Sequence, residues 1–167
     1  MSGDTRPVAL AIPDDVLAEV YAHARAAFPA ECCGWLAGPR AASAVTRARR
    51  CENAYDAGAH PTASDRTAET AYVIAGEDLL TLSRELDGAQ PPRVIYHSHP
   101  NGRAYFSETD RRVATDPWGE GPMMPVQQLV VGIDGERVVE AAMFAWDEAT
   151  GGFVEVARWS VGRATSR

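Results

Sequence analysis

Residues 126–146 read VQQLVVGIDGERVVEAAMFAW. Two apolar runs, 126–133 and 137–146, flank Asp134-Gly135, a dipeptide that suits a tight hairpin turn. This predicts two antiparallel strands, so the chain must build a sheet and bury at least one of its faces. GGFVEVARW at 151–159 reads as a last strand beyond it.

The rest of the chain supplies what covers that sheet. Residues 14–28, DDVLAEVYAHARAAF, place Leu17, Val20, Tyr21, Ala24, Ala27 and Phe28 on one helical stripe, opened by Pro13 and two aspartates and stopped by Pro29. CCGWLAG at 32–38 reads as a short buried strand ended by Gly38-Pro39, with 44–54 as its hairpin partner. Residues 55–71 are small, polar and aperiodic, and read as a flexible loop; Tyr72-Val73-Ile74 reads as a short strand. A second helix begins at Gly76-Glu77, carries Leu79, Leu80, Leu82 and Leu86, and is broken by Pro91-Pro92. Arg93-Val94-Ile95-Tyr96 is a further strand, Ser107 is a helix N-cap with Asp110 in the first turn, and PWGEGPMMP at 117–125 is a Pro/Gly-rich apolar loop. The order α, β, β, α, β, α, β, β, β predicts an α+β (mixed α/β) domain, a mostly antiparallel sheet flanked by helices. With 167 residues and no internal repeat, a single domain over 1–167 is expected, its core spanning about 8–160.

Charge and composition narrow the class. The formal net charge of −7 disfavours a phosphate backbone as partner, so no nucleic acid is expected. Arg47, Arg49 and Arg50 are the best candidates for a local basic patch, although a solvated edge-strand face is the plainer reading. No stretch approaches the roughly 20 apolar residues that span a bilayer, and the N-terminus lacks a signal-peptide pattern. No membrane association is therefore expected, and a cytoplasmic protein is. Cys32, Cys33 and Cys51, an odd set, do not form a disulfide framework and read as reduced, mostly buried thiols.

The strand at 93–96 runs into His97-Ser98-His99-Pro100, two of only four histidines in the chain. Two apart on an extended segment, their side chains point to the same side. Asp110 follows after ten intervening residues, enough to bring a helix start back over the imidazoles. Two imidazoles and a carboxylate suit zinc and leave one tetrahedral position open for water. Glu31, just before a buried strand, is the candidate base, and Ser107 the candidate oxyanion donor.

The conjunction of Glu31 in ECCGWLAG, HSHP at 97–100 and SETD at 107–110 resembles the JAMM, or MPN+, zinc metalloproteases. The match spans about residues 8–146, and the AYFSETD run at 104–110 is similar to the short stand-alone bacterial members, notably the sulfur-carrier-protein–cysteine hydrolases. The resemblance implies a JAMM/MPN-like fold, one Zn2+ per chain held by His97, His99 and Asp110, Glu31 as proton carrier and Ser107 as oxyanion donor. Ser98, between the ligands and facing the other way, reads as supporting. Pro100-Asn101-Gly102 departs from these relatives and implies a differently shaped substrate channel.

The implied reaction is hydrolysis of a peptide or isopeptide bond after the Gly-Gly end of a small ubiquitin-like or sulfur-carrier protein, releasing cysteine or a similar adduct. Tyr105, Phe106, Trp118, Met123 and Met124 are the candidate substrate contacts, with plain hydrophobic packing as the alternative for each. The competing functions are an isopeptidase that removes a ubiquitin-like modifier from proteins, a non-catalytic MPN scaffold, and a cysteine hydrolase built on Cys32 or Cys33. A homodimer is compatible with the sequence, which leaves the oligomeric state open.

Overall fold

The structure, a computed structural model, describes residues 6–53, 74 and 76–162. The expected flexible loop at 55–71, and Tyr72 and Val73 of the expected short strand, lie outside these residues; Ile74 makes an isolated bridge to Asn53. Among the described residues, nine elements follow in the expected order: α1 (Asp14–Ala27), β1 (Cys33–Ala37), β2 (Arg47–Cys51), α2 (Gly76–Glu85), β3 (Pro92–His99), α3 (Glu108–Ala114), β4 (Gln127–Asp134), β5 (Arg137–Asp147) and β6 (Gly152–Ser160).

The strands form one six-stranded sheet in the order β2-β1-β3-β4-β5-β6. Every neighbouring pair is antiparallel except β3 and β4, which run parallel with His99 opposite Gly132. A parallel pair needs a long crossover, and α3 lies in the one between β3 and β4. Central β3 is covered on both faces, which is why all of its residues but Arg93 are buried, the polar His97, Ser98 and His99 included. It runs from Pro92 to His99, longer than the segment expected at 93–96, and so carries both histidines within the ladder.

One face of the sheet packs on α1. Val16, Val20 and Ala24 of the helix meet Leu36, Val94, Tyr96, Leu129, Val131 and Met143. Asp14 and Asp15 in the first turn and Arg25 in the last complement the helix dipole. On the opposite face, α2 seats Leu82 against Trp35 and Ile95. Two of the three β2 arginines are answered by α2: Arg49 lies 3.1 Å from Asp78 and Arg47 3.6 Å from Glu85. The best-placed basic patch is thus an edge strand in which Arg47 and Arg49 are paired and Arg50 is exposed. A third cluster, Phe106 with Phe144, Phe153, Val130 and Ala142, anchors the segment leading into α3.

One glycine sets the route of that segment. A Cβ on Gly132 would lie 2.5 Å from the Gly102 carbonyl carbon and 2.6 Å from Arg103 N. The chain leaving His99 therefore folds flat over β4, fastened by Gly102 N–H donating to the Ile133 carbonyl at 2.9 Å. Glycine inside a strand often marks such a close backbone approach. Gly132→Ala must push the loop off the sheet. We expect a loss of about 2–3 kcal/mol, read as a fall in Tm of roughly 5–10 °C by calorimetry; an unchanged Tm would contradict this packing.

Candidate active site

Strand pairing explains how a glutamate sixty residues upstream reaches the histidines. Cys33 of β1 stands opposite His97 of β3. Extending that register places Cys32 beside Ser98 and Glu31 beside His99. The extension is held by two bonds: Ser98 N–H donates to the Cys32 carbonyl at 3.1 Å, and Cys32 N–H donates to Ser98 Oγ at 2.8 Å. Ser98, fully buried and on the α1 side of the sheet, thus aligns Glu31 with the histidines on the other side. Asn53 Nδ2 donates to the Glu31 carbonyl at 2.9 Å and steadies the same residue from the segment just past β2.

Asp110 arrives from the other direction. Ser107 caps α3: its Oγ accepts from Asp110 N–H at 3.0 Å, while Ser107 N–H donates to Asp110 Oδ2 at 2.9 Å. This capping box orients the very oxygen that faces the imidazoles. Asp110 Oδ2 lies 3.2 Å from both His97 Nε2 and His99 Nε2, which are themselves 3.0 Å apart. Glu31 Oε1 is 3.6 Å from His99 Nε2. Glu31, His97 and His99 are each at most 5% exposed.

The electrostatics follow from this packing. Burial pushes the Asp110 carboxyl up, but the charges and hydrogen bonds of His97 and His99 together hold it well below the usual carboxylate range. Burial opposes the charged form of His97 as well, and there Asp110, by charge and hydrogen bond, wins and raises it. In His99 burial prevails over the bond to Asp110, and its pKa falls.

The donor set fits a metal ion. Glu31, His97 and His99 offer ligand atoms that all lie within 4.8 Å of one another. The tighter triangle is His97 Nε2, His99 Nε2 and Asp110 Oδ2, with edges of 3.0, 3.2 and 3.2 Å. Tetrahedral coordination with bonds of ~2.0–2.1 Å sets neighbouring ligands about 3.3 Å apart. Both imidazoles aim Nε2 inward, the orientation a shared cation requires.

The expected contact residues divide. Tyr105 packs its ring 4.6 Å (centroid to centroid) from His99 and is 45% exposed. Trp118 and Met123 are exposed on a turn organised by Asp116, whose Oδ1 accepts from Trp118 N–H and Glu120 N–H. Met124 packs partly against the Trp35 and Leu82 cluster. Phe106 is turned into the core, stacked on Phe144 and beside Phe153, so its ring is packing rather than a contact surface. The thiols are no nucleophiles: all three are buried, and burial pushes Cys32 up to about 11 and Cys51 to about 12.

Sequence reasoning missed Arg111. Helix α3 buries none of its side chains, yet it must hold Asp110 within a fraction of an ångström. Arg111 Nη1 donates to the Phe153 carbonyl at 2.7 Å, and its guanidinium lies 5.6 Å from the centre of the Phe106 ring. It pins the helix to β6. Arg111→Met should weaken metal binding about 10–100-fold, measured by chelator competition, with Arg111→Lys intermediate; unchanged affinity in both variants would deny Arg111 this role.

Fold and site define the class: a hydrolase on a JAB/MPN-type domain. Residues 13–147 match the family described as prokaryotic homologs of the JAB domain, and the chain belongs to that family. It is 35% identical over 108 residues to the CysO-cysteine peptidases of Mycobacterium tuberculosis and Mycobacterium bovis, covering 65% of this chain and 67% of theirs. Two solution structures share the fold. A protein of Desulfitobacterium hafniense has a TM-score of 0.61 and 23% identity over 86% of this chain and 87% of its own. A protein of Salinibacter ruber has a TM-score of 0.56 and 20% identity over 86% of each. Among the described residues, no helix is long and apolar enough to cross a membrane.

Proposed function

We propose that the protein is a zinc-dependent amide hydrolase that cleaves after the Gly-Gly end of a small ubiquitin-like sulfur-carrier protein, releasing cysteine or a similar small adduct in the cytoplasm. The observation that carries the proposal is the triangle of two imidazole nitrogens and one carboxylate oxygen, 3.0–3.2 Å on a side, with a second carboxylate 3.6 Å from one corner. His97, His99 and Asp110 would hold the zinc, and Glu31 stands farther out. Zinc held there would supply Lewis-acid polarisation of the amide carbonyl and acidify a water to a pKa near ~7.

The remaining work belongs to side chains of this chain. Glu31 Oε1 takes the proton of the attacking water and returns it to the leaving nitrogen as the C–N bond breaks. Its burial and its alignment by Ser98 and Asn53 keep it at one distance from the reacting atoms. Ser107 Oγ uses a lone pair to cap α3, which leaves its O–H hydrogen to donate to the oxyanion. One hydroxyl thus orients Asp110 and stabilises the charge that develops beside it. Tyr105, Trp118 and Met123 offer exposed rings and a thioether to the extended tail of the carrier. The similarity to the CysO-cysteine peptidases supports a sulfur-carrier conjugate as the substrate.

The test is incubation of zinc-loaded protein with a carrier–cysteine conjugate and, separately, a carrier–protein isopeptide, followed by mass spectrometry. Release of cysteine from the first is expected. Cleavage of the isopeptide alone would replace this reading with that of a deconjugating isopeptidase.

A further inference from the structure

We propose that the cleft beside Tyr105 binds the α-carboxylate of the leaving amino acid through Arg103, so that the enzyme selects adducts ending in a free amino acid. The inference rests on the hydrolase reading above and adds a substrate class to it. The cleft measures about 590 Å³ and is lined by Asn101, Arg103, Ala104, Tyr105, Glu140 and Arg158. It adjoins the reacting centre because one of its walls, Tyr105, is the ring packed 4.6 Å from His99.

The cleft is built rather than loose. Gly102 N–H is bonded to the Ile133 carbonyl, Arg103 N–H donates to Asn101 Oδ1 at 3.0 Å, and Arg158 Nη2 donates to the buried Ala104 carbonyl at 2.7 Å. Arg158 is itself committed, bonded to Glu140 and, at 2.6 Å, to Glu155. Its charge is neutralised and its part is to hold the loop.

Other cations around the centre are committed too. Arg111 is spent on the Phe153 carbonyl, Arg112 lies 3.6 Å from Glu108, and Arg49 is paired with Asp78. Arg103 is exposed, and among the described residues no carboxylate is bonded to it. In a chain of net charge −7, an arginine at the mouth of the site with no acid partner is suited to an incoming anion. Its planar fork matches a carboxylate in bidentate geometry. Asn101 Nδ2, which reaches the Tyr105 hydroxyl at 3.5 Å, adds a neutral donor beside it.

The anion follows from the reaction. When the leaving group is a free amino acid, its carboxylate carbon sits one Cα from the scissile nitrogen, about 2.5 Å away. When the leaving group is a lysine side chain within a protein, no carboxylate stands there. Arg103 therefore separates a released amino acid from a protein isopeptide.

The experiment compares a synthetic peptide ending in Gly-Gly-Cys with its C-terminal carboxamide, using zinc-loaded wild type, Arg103→Gln and Arg103→Lys. Wild type should favour the acid at least tenfold in kcat/KM, Arg103→Gln should bring the ratio to about one, and Arg103→Lys should keep part of it. Equal rates on acid and amide by wild type, or an undiminished ratio in Arg103→Gln, overturn the proposal and leave the hydrolase reading standing. If neither peptide is cleaved, the substrate reading fails, and binding of S-methylcysteine against its carboxamide, followed by NMR, decides the cleft separately. Binding of the acid alone, lost in Arg103→Gln, supports the carboxylate site; any other pattern overturns it.

Discussion

Glu31→Gln is expected to retain about one zinc per chain and to lose hydrolysis by about 10²–10⁴-fold. Asp110 Oδ2 stands 3.2 Å from both imidazole nitrogens, whereas Glu31 Oε1 stands 3.6 Å from one of them. The nearer carboxylate completes the donor triangle, and the farther one is left to move a proton. Glutamine keeps the size and the bond from Asn53 to the backbone carbonyl, and leaves the neighbouring Cys32–Ser98 bonds untouched, but cannot accept that proton at neutral pH. Metal content by mass spectrometry and turnover of a Gly-Gly–cysteine amide check both halves. A variant that retains wild-type turnover would remove Glu31 from the mechanism, and one that loses its zinc would make Glu31 a ligand.

Asp110→Asn is expected to reverse that pattern, with zinc affinity falling at least about a hundredfold and activity at limiting metal falling with it. A direct ligand should matter no less than the supporting residues, whose loss costs about 10–100-fold. Asparagine can still accept from Ser107 N–H, so α3 stays capped and the loss reports on ligation. Asp110→Ala removes the ligand and its half of the capping box together and should also lower stability, by about 1 kcal/mol for the lost bond from Ser107 N–H. Zinc affinity of Asp110→Asn equal to wild type would rule out the triangle as the metal centre.

Much of this is legible in the sequence alone. The β4–β5 hairpin follows from two apolar runs around Asp134-Gly135, and α1 from the stripe that buries Val20 and Ala24. The parallel pairing of β3 with β4 was not readable, because strand order depends on which edges meet across a long crossover and no local pattern encodes it. The site divides in the same way. His97 and His99 are neighbours in sequence, and Ser107 and Asp110 form a local cap, so their proximity is written in short spacings. That Glu31 stands beside His99 depends on the β1–β3 register, so in the sequence Glu31 is marked only by its place before a buried strand and by the family resemblance, not by a short spacing to the histidines. The burial of Phe106 and the grip of Arg111 on Phe153 depend on β6, far along the chain. Gly132 did carry a signal, a glycine inside a strongly apolar strand, which points to close backbone approach.

The most direct measurement is turnover of a Gly-Gly–cysteine conjugate by wild-type protein before metal removal, after it, and after titration with zinc. The stripped protein should be inactive, and activity should return in proportion to added zinc, levelling at about one equivalent. Full turnover by the stripped protein would contradict a zinc-dependent hydrolase.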